Sequence, residues 1–129
     1  MMENHKMAFE KGVLFAVGTD AGTPGNYHGN SAAEITCMVK NVGMTPTQAL
    51  QAATIEAAKA IRMDEKIGSI EETKFADLVV CNGNPLQNIS ILEHQKNFEY
   101  VIKDGIIMVE QGALTYFKQI TDHKLTRRL

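Results

Sequence analysis

The 129 residues are 44% hydrophobic and 22% charged, with a formal net charge of −2, which is an ordinary globular composition with length enough for one cored domain. Near-neutral charge gives no electrostatic case for nucleic acid or an anionic membrane surface, and no apolar run approaches the roughly 18 residues of a membrane span. The opening MMENHKMAFEKG lacks the apolar stretch of a secretory signal. The expectation is therefore a cytoplasmic protein in which Cys37 and Cys81, matching no metal spacing, are free reduced thiols.

In chain order, Asn4 to Lys11 reads as the end of a helix stopped by Gly12. Val13-Leu14-Phe15-Ala16-Val17 is a continuous apolar run between glycines, the pattern of a strand buried on both faces of a helix-covered parallel sheet. It runs into Gly18-Thr19-Asp20-Ala21-Gly22-Thr23-Pro24-Gly25, dense in turn formers. Ser31 with Glu34 three residues later predicts a capping box. Ile35, Met38, Val39 and Val42 then follow at helical spacing up to Gly43. Thr45-Pro46-Thr47-Gln48 is a stronger start signal: N-cap, proline at the first helical position and capping-box partner. Ala49, Leu50, Ala52 and Ala53 continue that helix. Thr54 is expected to cap a third, carrying Ala57, Ala58 and Ile61, and the small residues predict close helix packing.

After Met63 the period changes. Ile67-Gly68-Ser69-Ile70, Ala76 to Cys81, Tyr100 to Lys103 and Ile106 to Val109 are short β-type runs. Asp104-Gly105 between two of them predicts a two-residue hairpin with positive φ at both turn positions. Asn82-Gly83-Asn84-Pro85 reads as a turn, and Ser90-Ile91-Leu92 as one helical turn.

Together these motifs resemble the amidohydrolase superfamily. They are Gly18-Thr19-Asp20-Ala21-Gly22 after a strand, His28-Gly29-Asn30 before a helix, Gly43-Met44-Thr45-Pro46 with Ala49-Leu50, Ala52-Ala53-Thr54, Ile67-Gly68-Ser69-Ile70, Ala76-Asp77-Leu78-Val79-Val80 and Val101-Ile102-Lys103-Asp104-Gly105. The resemblance covers about residues 5 to 112 and is nearest to imidazolonepropionase-like and Xaa-Pro dipeptidase-like members. It implies an α/β fold class: a fragment of a (β/α)8 hydrolase barrel, with its last strand and following helices, plus the C-terminal strands of the family's small β-sandwich. The divisions expected are 1–63 for the barrel part, 64–112 for the β unit and 113–129 for a basic tail. A whole barrel enzyme of this kind is about three times as long.

The resemblance makes Asp20 the residue to watch. In the family, the aspartate ending the last barrel strand binds a divalent metal, typically zinc, and takes a proton from the water that attacks a carbonyl carbon. Zinc lowers the pKa of such a water to about 7. The resemblance also makes His28 a candidate substrate contact. From the residues alone Asp20 is a turn former and His28 a loop histidine. Gly22, Gly25 and Gly29 read as backbone geometry, Glu34 as a capping residue, and His5, His94 and His123 as surface residues. The family's other ligands come from an HxH pair on the first strand, two further histidines and often a carboxylated lysine, and no HxH occurs here. A catalytic zinc needs three protein ligands, so the isolated chain is expected to hold no metal tightly and to be inactive. The implied reaction is hydrolysis of C–N bonds in small amides, of cyclic amide or dipeptide type. A lone strand with open edges recruits other chains, so a homo-oligomer is expected, a dimer that domain swapping could build. Two alternatives stay open: half of a split hydrolase completed by a partner chain, and a non-catalytic dimerisation module.

Overall fold

Local signals write most of the elements, and a computed structural model describes residues 2–24, 27–111 and 113–114. The expected tail at 113–129, apart from Ala113 and Leu114, and its Lys124 to Arg128 cluster, lies outside the described residues. Contacts divide the chain into two units: Met1–Lys74 with Asn84–Glu93, and Phe75–Gly83 with His94–Leu129. The stretch after Met63 thus stays with the helices as far as Lys74.

The first unit opens with helix α1 (Met2–Glu10), ended by Gly12 at φ +82°. Residues 13–20 follow without any strand ladder. The expectation of a strand buried on both faces is corrected here: Val13 is 53% and Leu14 83% exposed. A strand is made by lateral hydrogen bonds, and the two recorded in this stretch go to helices, from Val13 N–H to the Ala8 carbonyl (3.1 Å) and from Val17 N–H to the Ala52 carbonyl (2.9 Å). The period of two survives nonetheless. Phe15, Val17 and Thr19 are half-buried, whereas Leu14, Ala16, Gly18 and Asp20 are exposed. Phe15 meets Phe9 of α1 edge-on at 6.3 Å between ring centroids.

Helix α2 (Ala32–Cys37) runs directly into a wider π-helical turn, Met38–Val42, closed by Gly43 at φ +91°. The capping box expected at Ser31 and Glu34 is not formed. Ser31 already has helical φ/ψ (−59°, −27°), and its side chain makes no cap bond. A capping hydroxyl needs an extended backbone to reach forward, and here the chain is already turning from Asn30, whose carbonyl accepts from Ala33 N–H. Helix α3 (Pro46–Ala53) carries the predicted capping box in full: Thr45 is extended, its hydroxyl accepts from Gln48 N–H, and Gln48 Oε1 accepts from Thr45 N–H at 2.9 Å. Such a cap contributes about 1 kcal/mol. Thr54 stands between α3 and α4 (Ile55–Ala60), but it does not cap α4. Its hydroxyl donates back to the Leu50 carbonyl at 2.7 Å, the backward bond open to a threonine at a helix end.

The core of this unit is Val42, Met44, Ala49 and Ala52, with Phe9, Phe15, Val17, Ile35, Met38 and Val39 packed against it. Burying a side chain such as Val42 contributes about 1.5–3 kcal/mol. The alanines do what their size allows: Ala49, Ala52 and Ala58 are buried where backbones approach closely. The run Ile67 to Ile70, expected to be β-type, is a bend instead, with Ile70 88% exposed. A Cβ on Gly68 would lie 2.7 Å from Ala58 Cβ, so the chain crosses α4 too closely for a pleated strand. Beyond the crossing, Lys74 Nζ donates to Ser69 Oγ (2.5 Å) and to Glu71 Oε1 (3.0 Å), and the Ser69 hydroxyl also donates to Glu71. The Ser69 bond, then Lys74, holds the Glu71 carboxyl below its ordinary range. The expected helical turn at Ser90 to Leu92 is a 3-10 turn over Ile89–Glu93, with Ile89 buried.

The second unit is an antiparallel sheet in the order β1-β2-β3-β4: Leu78–Cys81, Phe98–Lys103, Ile106–Glu110 and Ala113–Leu114. The predicted hairpin is present, with Lys103 opposite Ile106 and φ of +51° at Asp104 and +77° at Gly105. Asp77, just before β1, ties this turn down. Its carboxylate accepts from Asp104 N–H (2.8 Å) and from Lys103 Nζ (2.6 Å), while Gly105 N–H donates to the Ala76 carbonyl. Lys103 Nζ also lies 5.8 Å from the centre of the Phe75 ring.

A candidate active-site loop

Asp20 ends the extended stretch on the exposed register positions it shares with Leu14, Ala16 and Gly18. Its backbone is left-handed, φ +46°, a conformation that aspartate tolerates better than most residues because its short side chain bonds locally. The alternation from Phe15 onward thus sends one set of side chains to the helices and leaves the Asp20 set open. Thr19, on the half-buried set, has an interaction partner of its own.

The loop then turns at Ala21-Gly22, with Gly22 at φ +113°. Gly25, expected to serve backbone geometry, lies outside the described residues. Tyr27 to Asn30 forms a second turn, in which Asn30 N–H donates to the Tyr27 carbonyl (3.4 Å) and Gly29 has φ +90°. Positive φ at the third of four residues is the signature of a type II turn and puts His28 at its corner. The His28 side chain folds back on the first turn: a Cβ built on Gly22 would stand 3.4 Å from His28 Nε2 and 4.0 Å from Cε1. The structure therefore brings His28 against the loop that carries Asp20. No hydrogen bond joins Asp20 to His28 among the described residues. From the sequence, Gly22 reads as backbone geometry only. Its contact with His28 spans a turn whose course sequence spacing does not give, and the paired glycines Gly22 and Gly29 were the available signal.

The other candidates sit apart from this loop. Glu34 lies half-buried in the first turn of α2. His5 is exposed, its ring 6.3 Å from that of Phe15. His94 is exposed ahead of the 3-10 turn Gln95–Asn97, and His123 lies outside the described residues. Cys37 and Cys81 are free; Cys37 Sγ accepts from Asn41 Nδ2 at 3.2 Å within the helix. Among the described residues no three His, Cys, Asp or Glu side chains gather closely enough to hold a metal ion. A catalytic zinc takes three protein ligands, so the described residues by themselves do not fit one, and Asp20 is a single donor. None of the described helices is long and apolar enough to cross a membrane.

A small α/β arrangement, with an aspartate at the end of an extended segment, is consistent with a fragment of a larger fold. The sequence model of the amidohydrolase family matches residues 1–108, and the chain belongs to that family. Imidazolonepropionase of Brevibacillus brevis is 32% identical over 116 residues, covering 86% of this chain and 26% of that protein. A Xaa-Pro dipeptidase, crystallised with methionine bound in its active site, superposes with a TM-score of 0.73 at 46% identity, over 82% of this chain and 25% of that one. Aspergillus niger ochratoxinase superposes with the same TM-score at 31% identity, over 84% of this chain and 24% of its own. The chain spans about a quarter of the length of these relatives. The family is generally metal-dependent.

Proposed function

We propose that this chain supplies the C-terminal part of a metal-dependent amidohydrolase, contributing the last barrel strand, the Asp20 carboxylate and the C-terminal strands of the small β domain. The reaction is hydrolysis of a C–N bond in a small amide, of the cyclic amide or dipeptide type, consistent with what the imidazolonepropionase and dipeptidase relatives are named for. Asp20 is the group that accepts a proton as water attacks the carbonyl carbon, and His28 faces the substrate from the neighbouring turn. The metal, zinc in this reading, is held by donors from polypeptide outside these 129 residues together with Asp20.

One observation carries the proposal. Asp20 stands on the open side of an extended segment whose other side is packed on helices, and loops at the C-terminal ends of barrel strands are where such sites lie. A catalytic zinc takes three protein ligands and this sequence brings no HxH pair, so the chain alone is expected to be inactive. Its exposed Val13 and Leu14, in a stretch with no strand ladder among the described residues, favour self-association in isolation, as a dimer that covers the open edge. Light scattering should show mass rising with concentration, and a monomer throughout would remove that part of the reading.

The decisive assay mixes the chain with a polypeptide carrying the preceding barrel strands of a relative and follows hydrolysis of Xaa-Pro dipeptides and cyclic amides. Activity is expected only in the mixture, and Asp20→Asn should lower it by about 10³-fold or more, as loss of an acid–base group in a metal site does. A chain that hydrolyses either substrate unaided would refute the proposal.

A further inference from the structure

The Gly22 contact goes beyond this assignment. Three features converge on it. Gly22 has φ +113°, where L side chains are rarely found. The space a Cβ would take is bounded by the tip of the His28 ring, with Nε2 at 3.4 Å, the near limit of van der Waals contact. The turn from Tyr27 to Asn30, with Gly29 at φ +90°, fixes where the His28 ring starts. Gly22 is also two residues from Asp20, so anything resting on Gly22 rests on the Asp20 loop.

We propose that Gly22 is a positioning residue: its bare Cα is the seat for the His28 imidazole, and this seat sets how the ring stands beside Asp20. The proposal rests on the substrate-facing reading of His28. A side chain at Gly22 pushes the ring outward and loosens substrate binding. Removing the ring frees Gly22 of its neighbour without altering any backbone preference.

Two measurements on the 129-residue chain test the seat directly. In Gly22→Ala the Cε1–H resonance of His28, assigned by its loss in His28→Gln, should move, while that of His94 in the β unit stays put. In His28→Ala, a change that keeps the loop backbone intact even if Gly22→Ala proves hard to fold, the Gly22 amide resonance should shift as the ring is lost. Neither resonance moving would overturn the seat. In the completed hydrolase, Gly22→Ala should raise KM by about threefold to tenfold with kcat changed less than about twofold, the pattern of weakened binding. Adding it to His28→Gln should have little further effect, the non-additivity of two changes acting through one ring. Equal additive losses in kcat would instead assign Gly22 a merely structural role. If His28→Gln leaves KM unaltered although the resonances move, the substrate-facing reading of His28 fails, and the positioning role fails with it, leaving only a packing contact.

Discussion

The hairpin from Phe98 to Glu110 and the apolar run from Val13 to Val17 read equally well as strands, yet only one of them is a strand. The hairpin's register is written in its own turn. Asp104 and Gly105 accept the positive φ values that the turn demands, and the pairing partner arrives two residues later. The run at Val13 has the composition but no neighbouring strand among the described residues, so Phe15 and Val17 pack on helices while Val13, Leu14 and Ala16 stay exposed. β structure coded by a turn is local information; β structure coded by burial on two faces is a request for partners.

Hydrogen exchange is the sharpest way to break this contrast and carries the largest effect. Amides of Leu14, Phe15 and Ala16 should exchange about a thousandfold or more faster than the central amides of β2, because segments without ladder bonds open at almost no cost. Protection of the three amides in the isolated chain would mean that a second copy had taken the open edge. Addition of the complementary barrel strands should slow them toward the β2 rates.

Gly68 tests the other run that resembles a strand and is not one. Gly68→Ala places a methyl 2.7 Å from Ala58 Cβ and 3.0 Å from Ile55 Cα, at φ +95°. The combined strain and overpacking should cost about 2–4 kcal/mol of stability, measured by urea denaturation. Pairing it with Ala58→Gly should recover part of the loss, since the methyl group it meets would be gone. An unchanged midpoint for Gly68→Ala would show that the crossing is looser than the contact distances require.

What the sequence made legible follows the same division. Signals satisfied within a few residues came through intact: the capping box from Thr45 to Gln48, the Gly43 stop, the Asp104-Gly105 turn and the close-packed alanines. Ser31 and Glu34 have the right residue types for a capping box, but the turn at Asn30 sets the chain in helical conformation too early. Thr54 could bond forward or backward and bonds backward to Leu50. Ile67 to Ile70 has strand composition, and a close backbone crossing decides against it. In the site loop, the family resemblance singled out Asp20 and His28, which by residue type and position alone read as a turn former and a loop histidine. That His28 rests on Gly22 depends on two turns acting together, which spacing alone does not encode.

The smallest effect concerns the hairpin, and it is expressed through pH. Asp77 holds the turn by accepting from Lys103 Nζ and Asp104 N–H. The Lys103 bond first and the Asp104 bond second keep its carboxyl below its ordinary value. A carboxyl whose folded pKa is depressed contributes stability above its unfolded pKa, and loses that contribution as pH falls through the folded value. The β unit should therefore be at full strength near neutrality and weaken only below about pH 4, where an ordinary aspartate begins to protonate. Asp77→Asn keeps the size and one acceptor but not the charge. Its denaturation midpoint, followed by tyrosine signals of the sheet, should fall slightly at pH 7 and approach the wild type as pH drops below the ordinary aspartate range. Because the pair is solvent-exposed, salt should shrink the difference at pH 7. A difference that persists unchanged from pH 7 to pH 3 would mean that the carboxylate's charge contributes nothing, and that the turn chemistry of Asp104 and Gly105 holds the hairpin alone.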